Sequence, residues 1–234
     1  MTRPGRFVLC GFIVLPVANR KGRRAVSDKT TLRIHQFLPQ SKANGPGNRA
    51  VIWVQGCTLG CPGCFNAPTH LTQAGVDESV DIIFERILAL GSNIEGITIS
   101  GGEPLQQQTG IASLLRRVKA ETKLSVVLFT GFSWEELERM GEADRQRAGA
   151  DISTALPLPL LSDVDVLLAG RYDAGRRIAR GLLGSDNKIA YFLTTRYNQA
   201  DLDRVPKVEV IITPAGRVFT TGIDPVHLEG VLDA

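Results

Sequence analysis

Apolar positions along this chain follow two rhythms. Short runs at residues 32–38, 50–54, 96–100, 124–129, 164–168 and 189–194 either alternate or are continuously apolar, as strands buried on one or both faces do. Between them the spacing widens to that of a helix. Val80, Ile83, Phe84, Ile87 and Leu88 predict one over residues 77–90 that Gly91 stops. Ile111, Leu114, Leu115 and Val118 mark a second. Ser133 with Glu136 three residues on forms a capping box for a third, running to Ala148, with Trp134 read as a core residue. Residues 208–213 and 217–220, joined by Pro214-Ala215-Gly216, predict a C-terminal hairpin. Strands alternating with helices argue for an α/β fold with a parallel sheet and right-handed crossovers, and ligands then collect at the strand C-terminal ends.

Composition changes this picture little. A chain of 234 residues with 43% hydrophobic and 22% charged residues is ordinary for a soluble globular protein. The net charge of +3 is too mild to argue for nucleic acid, and the basic residues crowding the N-terminus, from Arg3 to Arg33, read as a solvated tail. The apolar run 7–17 mimics a secretion signal but is broken by Gly11 and Pro16 and is too short to span a bilayer. It reads as a local strand or a mis-assigned start. Neither a membrane nor a nucleic-acid partner is expected.

The chemistry concentrates in Gly56-Cys57-Thr58-Leu59-Gly60-Cys61-Pro62-Gly63-Cys64-Phe65-Asn66, which carries three of the four cysteines. Three thiolates on one tight loop suit a soft metal centre: zinc, copper(I) or an iron–sulfur cluster. A structural zinc site wants four closed ligands, which here would mean enlisting His70 or the distant Cys10. A disulfide framework fits poorly, because an odd cluster cannot pair off. Clustered free thiols point to a reducing compartment, best the cytoplasm. Downstream, the strand 96–100 runs into Gly101-Gly102-Glu103-Pro104, where two glycines let the backbone approach a ligand closely. The cysteine loop, this turn, Thr130-Gly131 and Ala169-Gly170 all follow strands, hence lie on one rim. His35 reads as a sheet residue, Asp165 and Asp186 as structural, and the loop 44–49 as a turn.

The pairing of C-x3-C-x2-C with a later Gly-Gly-Glu-Pro turn resembles the radical S-adenosylmethionine (SAM) superfamily. Within it, the loop Asn44-Gly45-Pro46-Gly47-Asn48-Arg49, the cluster loop, Thr130-Gly131-Phe132 and Asp165-Val166-Leu167 leading to Gly170-Arg171-Tyr172 resemble the anaerobic ribonucleotide reductase activating proteins. The likeness covers about residues 32–195. It departs at Leu183-Gly184-Ser185-Asp186-Asn187-Lys188, where the family shows an Arg-Gly-Ser-Ser-Asn-Gln-like turn, and at Ala169, where an acidic residue is common.

The resemblance implies a partial, open (βα) barrel of the radical SAM type over residues 31–205, preceded by an extension (1–30) and followed by the hairpin and tail (206–234). It also implies a [4Fe–4S] cluster on Cys57, Cys61 and Cys64, with SAM as the ligand of the fourth iron. Gly101, Gly102 and Glu103 would hold the methionyl amine, the backbone around Gly63 and Phe65 the adenine, and Thr130 would complete the cofactor rim. The implied chemistry is one-electron cleavage of SAM to methionine and a 5′-deoxyadenosyl radical, which abstracts hydrogen from a glycine of a glycyl radical enzyme. No residue need act as general acid or base. A flavodoxin or ferredoxin-type donor is expected, with Arg171, Arg176, Arg177 and Arg180 offering a mild basic docking surface. Two other readings stay open: a radical SAM enzyme acting on a small molecule or peptide, and a non-enzymatic iron–sulfur or zinc module.

Overall fold

A computed structural model describes residues 30–148, 156–212, 216 and 218–224. The expected N-terminal extension, with its apolar run and Cys10, and the turn of the C-terminal hairpin lie outside the described residues. In chain order the sheet elements and helices are β1 (Thr31–Ser41), β2 (Arg49–Val54), β3 (Val76–Ser79), α1 (Val80–Leu88), β4 (Gly96–Gly101), α2 (Gln108–Glu121), β5 (Ser125–Phe129), α3 (Trp134–Ala148), β6 (Val166–Ala169), β7 (Arg177–Arg180), β8 (Leu183–Ser185), β9 (Ile189–Phe192), α4 (Gln199–Asp203), β10 (Val208–Ile212) and β11 (Val218–Gly222). Seven strands form one sheet in the order β3-β1-β2-β4-β5-β6-β9.

The parallel core is β2-β4-β5-β6. The edges differ from the expected all-parallel arrangement: β1 is antiparallel to β2 and β3, and β9 is antiparallel to β6. Connection length decides this. A parallel crossover needs a dozen or more residues, usually with a helix; residues 42–48 are too few, and residues 170–188 hold only the small β7-β8 hairpin and a short 3-10 turn. The predicted helix 77–90 also starts later, because Asp77, Glu78 and Ser79 pair with β1 as β3. Ser79 then caps α1 by accepting from the Ile82 amide.

Strand alternation separates two faces. Ala50, Ile52, Val54, Ile97, Ile99, Val126, Leu128 and Leu167 pack with Val80, Ile83, Phe84, Ile87, Ile111, Leu114, Leu115 and Val118 of α1 and α2 in the main core. The opposite face is less filled. Val127, Val166 and Leu168 form a smaller cluster with Leu182 and Leu202, and Trp53, Ser100 and Phe129 line a cavity. The Ser133–Glu136 capping box of α3 is formed, and Trp134 stacks on Tyr191 at 4.5 Å against the core.

Arg49 is fully buried and knits together the N-terminal ends of the parallel strands. Its guanidinium donates to Thr98 Oγ1 (2.8 Å), Ser125 Oγ (2.9 Å), and the carbonyls of Pro46 (3.0 Å), Ile97 (2.5 Å) and Ser125 (3.0 Å). Burial pushes its pKa down to about 10, so it stays charged at neutral pH. The loop 44–48 folds over this side chain: a Cβ on Gly45 would stand 2.5 Å from Arg49 Cδ. Residues read from sequence as a mere turn are thus the cover of a buried cation. Arg49→Met should destabilise the protein by about 3 kcal/mol or more, because several buried acceptors lose their donor together. Urea unfolding measures this, and an unchanged midpoint would refute the role.

Candidate functional site

The cysteine loop leaves β2 and is pinned at its base, where the Gly56 amide donates to Thr69 O (2.7 Å) and the Cys57 amide to His70 O (3.1 Å). Within it the Cys64 amide donates to Cys61 O (3.2 Å). All three cysteines are free thiols of intermediate exposure. Neighbouring β4 runs parallel to β2 with Val54 opposite Gly101, so the glycine-rich turn emerges beside the cysteine loop. The two are joined directly: the Gly102 amide donates to Val54 O (2.8 Å) and the Glu103 amide to Gly56 O (2.9 Å). Gln106 adds a latch, its Nε2 donating to Thr58 Oγ1 (2.6 Å) while its Oε1 accepts from the Thr58 amide (3.2 Å).

Glu103 is only 1% exposed, yet it lies in the same cavity wall. Oε1 accepts from the Leu105 amide (2.9 Å) and Thr130 Oγ1 (2.8 Å), and Oε2 from the Gly131 amide (2.7 Å). Burial raises its pKa and these donors oppose the shift. The carboxylate therefore ties the turn after β4 to the turn after β5. Burial likewise pushes the Cys57 and Cys64 thiols up, with smaller contributions from neighbouring cysteines.

Cys57, Cys61, Cys64, Phe65, Gly101, Gly102, Glu103 and Thr130 all line one cavity of about 320 Å³. Gly63 does not; it takes a positive φ of 69° and lies close to Ala174. Phe65 meets Tyr172 edge-on at 5.1 Å at the cavity wall. Several wall residues carry no local sequence signal. Lys188 comes from the turn after β8, and Phe219 to Ile223 come from β11 and the residue that follows it. The hairpin is anchored to the loop after β1: Glu209 Oε2 accepts from Ser41 Oγ (2.6 Å) and the Lys42 amide (3.0 Å), and Asn44 Nδ2 donates to Thr221 Oγ1 (2.9 Å).

Asp165 is structural, accepting from the Val126 amide (2.8 Å) and Thr194 Oγ1 (2.7 Å), and Asp186 pairs with Arg176. The basic surface expected from four arginines is neutralised: Arg171 pairs with Glu136, Arg176 with Asp186, Arg177 with Asp224 and Arg180 with Asp203. Arg176 meets Asp186 at the β7–β8 hairpin and the other three reach carboxylates further off in sequence, so an acidic partner finds little free positive charge there.

The family of 4Fe-4S single cluster domains matches residues 43–190. This chain belongs to that family. The chain is 35% identical to the anaerobic ribonucleoside-triphosphate reductase-activating protein of Salmonella typhimurium over 112 residues, 45% of this chain and 73% of the relative. It is 30% identical to the protein of the same name from Enterobacteria phage T4 over 157 residues, 65% of this chain and 89% of the relative. A Haemophilus influenzae protein provisionally named a glycyl-radical enzyme activating enzyme is 30% identical over 101 residues, 42% of this chain and 38% of the relative.

The donor set of this family member fits such a cluster. Cys57, Cys61 and Cys64 are free thiols on the wall of one cavity, and thiolates are the ligands by which iron–sulfur clusters are held. Gly102 tests the joint between the two loops, because an added Cβ would run into the Gly56 carbonyl. Gly102→Ala should cost roughly 1–3 kcal/mol of stability; a urea-unfolding midpoint equal to that of wild type would refute the close fit.

Proposed function

We propose that this protein is a radical SAM activase that holds a [4Fe–4S] cluster on Cys57, Cys61 and Cys64, binds SAM beside it, and activates a glycyl radical enzyme of the anaerobic ribonucleoside-triphosphate reductase type. The observation that carries the reading is the pair of backbone hydrogen bonds from Gly102 and Glu103 to the base of the cysteine loop, which turns thiols and glycine-rich backbone toward one cavity. The names of the relatives support the partner class. In this reading the four parallel strands are the partial, open barrel of the radical SAM type, within a domain of residues 31–205.

When bound, the cluster and SAM together supply reductive cleavage of the S–C5′ bond and a carbon radical for hydrogen abstraction. The chain's own residues bind and orient. Gly101 and Gly102 present bare backbone to the methionyl group. Glu103 would contribute the negative charge that an α-ammonium seeks, and Thr130, beside it in the cavity wall, holds that carboxylate in place. Phe65, in the cavity wall, would border the adenine. Phe219 to Ile223 exclude water from the far side of the cavity. No general acid or base is required. The electron comes from a flavodoxin or ferredoxin-type donor, and free thiols suit a reducing compartment such as the cytoplasm. No helix among the described residues is long and apolar enough to cross a membrane.

One observation favours a second reading. The hairpin closing on the cavity, beyond the matched residues 43–190, leaves less room for a macromolecular loop and suits a radical SAM enzyme acting on a small molecule or peptide.

Anaerobic reconstitution should load about four irons per chain, and Cys61→Ala should abolish loading. Reduced protein, SAM and the anaerobic reductase should then yield a glycyl doublet in the electron paramagnetic resonance spectrum. SAM cleavage without a doublet, but accelerated by a small substrate alone, would replace the activase with the second reading; stoichiometric zinc without iron would remove both.

A further inference from the structure

Lys188 has no part in the reading above, yet it stands in the cavity wall with Cys61, Cys64 and Glu103. Its ammonium donates to Thr130 O (3.4 Å) and to Gly170 O, the backbone at the C-terminal ends of β5 and β6. Among the described residues it makes no salt bridge, and Glu103 already has both oxygens occupied by Leu105, Thr130 and Gly131. A half-buried lysine ordinarily ends on a carboxylate or in solvent. This one is held by two carbonyls, and the groups that feel its charge are Glu103, Cys61 and Cys64. Burial lowers its pKa and those three groups oppose the shift. The fold therefore holds a cation in the wall it shares with Glu103 and with two of the three thiols.

We propose that Lys188 sets the redox poise of the centre held by Cys57, Cys61 and Cys64, its fixed ammonium favouring the form that has accepted one electron. The inference rests on the cluster reading given above. Three thiolates in a half-buried wall make added negative charge costly, and a unit positive charge fixed in the same wall offsets it in a medium poorer than water at screening. The electron comes from an external one-electron reductant, and no bond or proton changes hands. Lys188 acts through the centre and needs no contact with substrate.

The test compares wild type, Lys188→Gln, Lys188→Met and Lys188→Arg, each reconstituted anaerobically without SAM, by iron and sulfide content and by a potentiometric titration followed by electron paramagnetic resonance. The neutral variants should load as much iron as wild type while their reduction equilibrium falls roughly tenfold, about 59 mV for a one-electron couple. Lys188→Arg should stay with wild type. Neutral variants that titrate at the wild-type potential would overturn the proposal. So would failure of both to load iron, which would make Lys188 a folding residue. A wild-type protein that loads no iron would instead sink the cluster reading beneath it.

Discussion

Two backbone hydrogen bonds, from the amides of Gly102 and Glu103 to the carbonyls of Val54 and Gly56, hold the site together. They require the chain leaving β4 to press against the chain leaving β2 with no side chain between, and a Cβ at Gly101 would stand 2.5 Å from Val54 O. Parallel pairing with Val54 opposite Gly101 makes this contact possible, since both strands then end on the same rim and at the same height. A loop that presents thiols and a turn that presents bare backbone become one surface.

Two buried charges brace the sheet from its two ends. Arg49 binds the starts of β2, β4 and β5 through its five-donor guanidinium, which can satisfy several carbonyls and hydroxyls where a lysine would leave some unmet. Glu103 performs the reciprocal task beyond β4 and β5, accepting two amides and a hydroxyl. Each charge is buried at a cost that its hydrogen bonds offset. The cavity lies on the face that the helices leave free, and the C-terminal hairpin forms its far wall.

Much of this was legible from residue order. The strands and helices of the core follow apolar periodicities that are local, and the observed β2, β4, β5, β6, β9, α1 and α2 lie within a few residues of the expected positions. The short strands β3, β7 and β8 and the small helix α4 were not legible. Each is too short for a period to show: β3 is made regular by pairing with β1, β7 and β8 by pairing with each other, and α4 by its Asn198–Asp201 capping box. Asp77 and Glu78 illustrate it: helix-like in isolation, they are drawn into a strand by β1.

Sequence alone determined the donor types and their local spacing: three thiols within eight residues, a Gly-Gly-Glu-Pro turn after a β-branched strand, and a buried stripe on each core helix. These are short-range properties, set by side-chain chemistry and backbone freedom. The tertiary structure alone decided that Glu103 meets Thr130 and Gly131, that Arg49 reaches Thr98 and Ser125, that Lys188 joins the wall that holds the thiols, and that Arg171, Arg177 and Arg180 find acidic partners. Each of these depends on residues far apart in the chain brought together by packing, and no local pattern encodes which distant partner a charged side chain will meet.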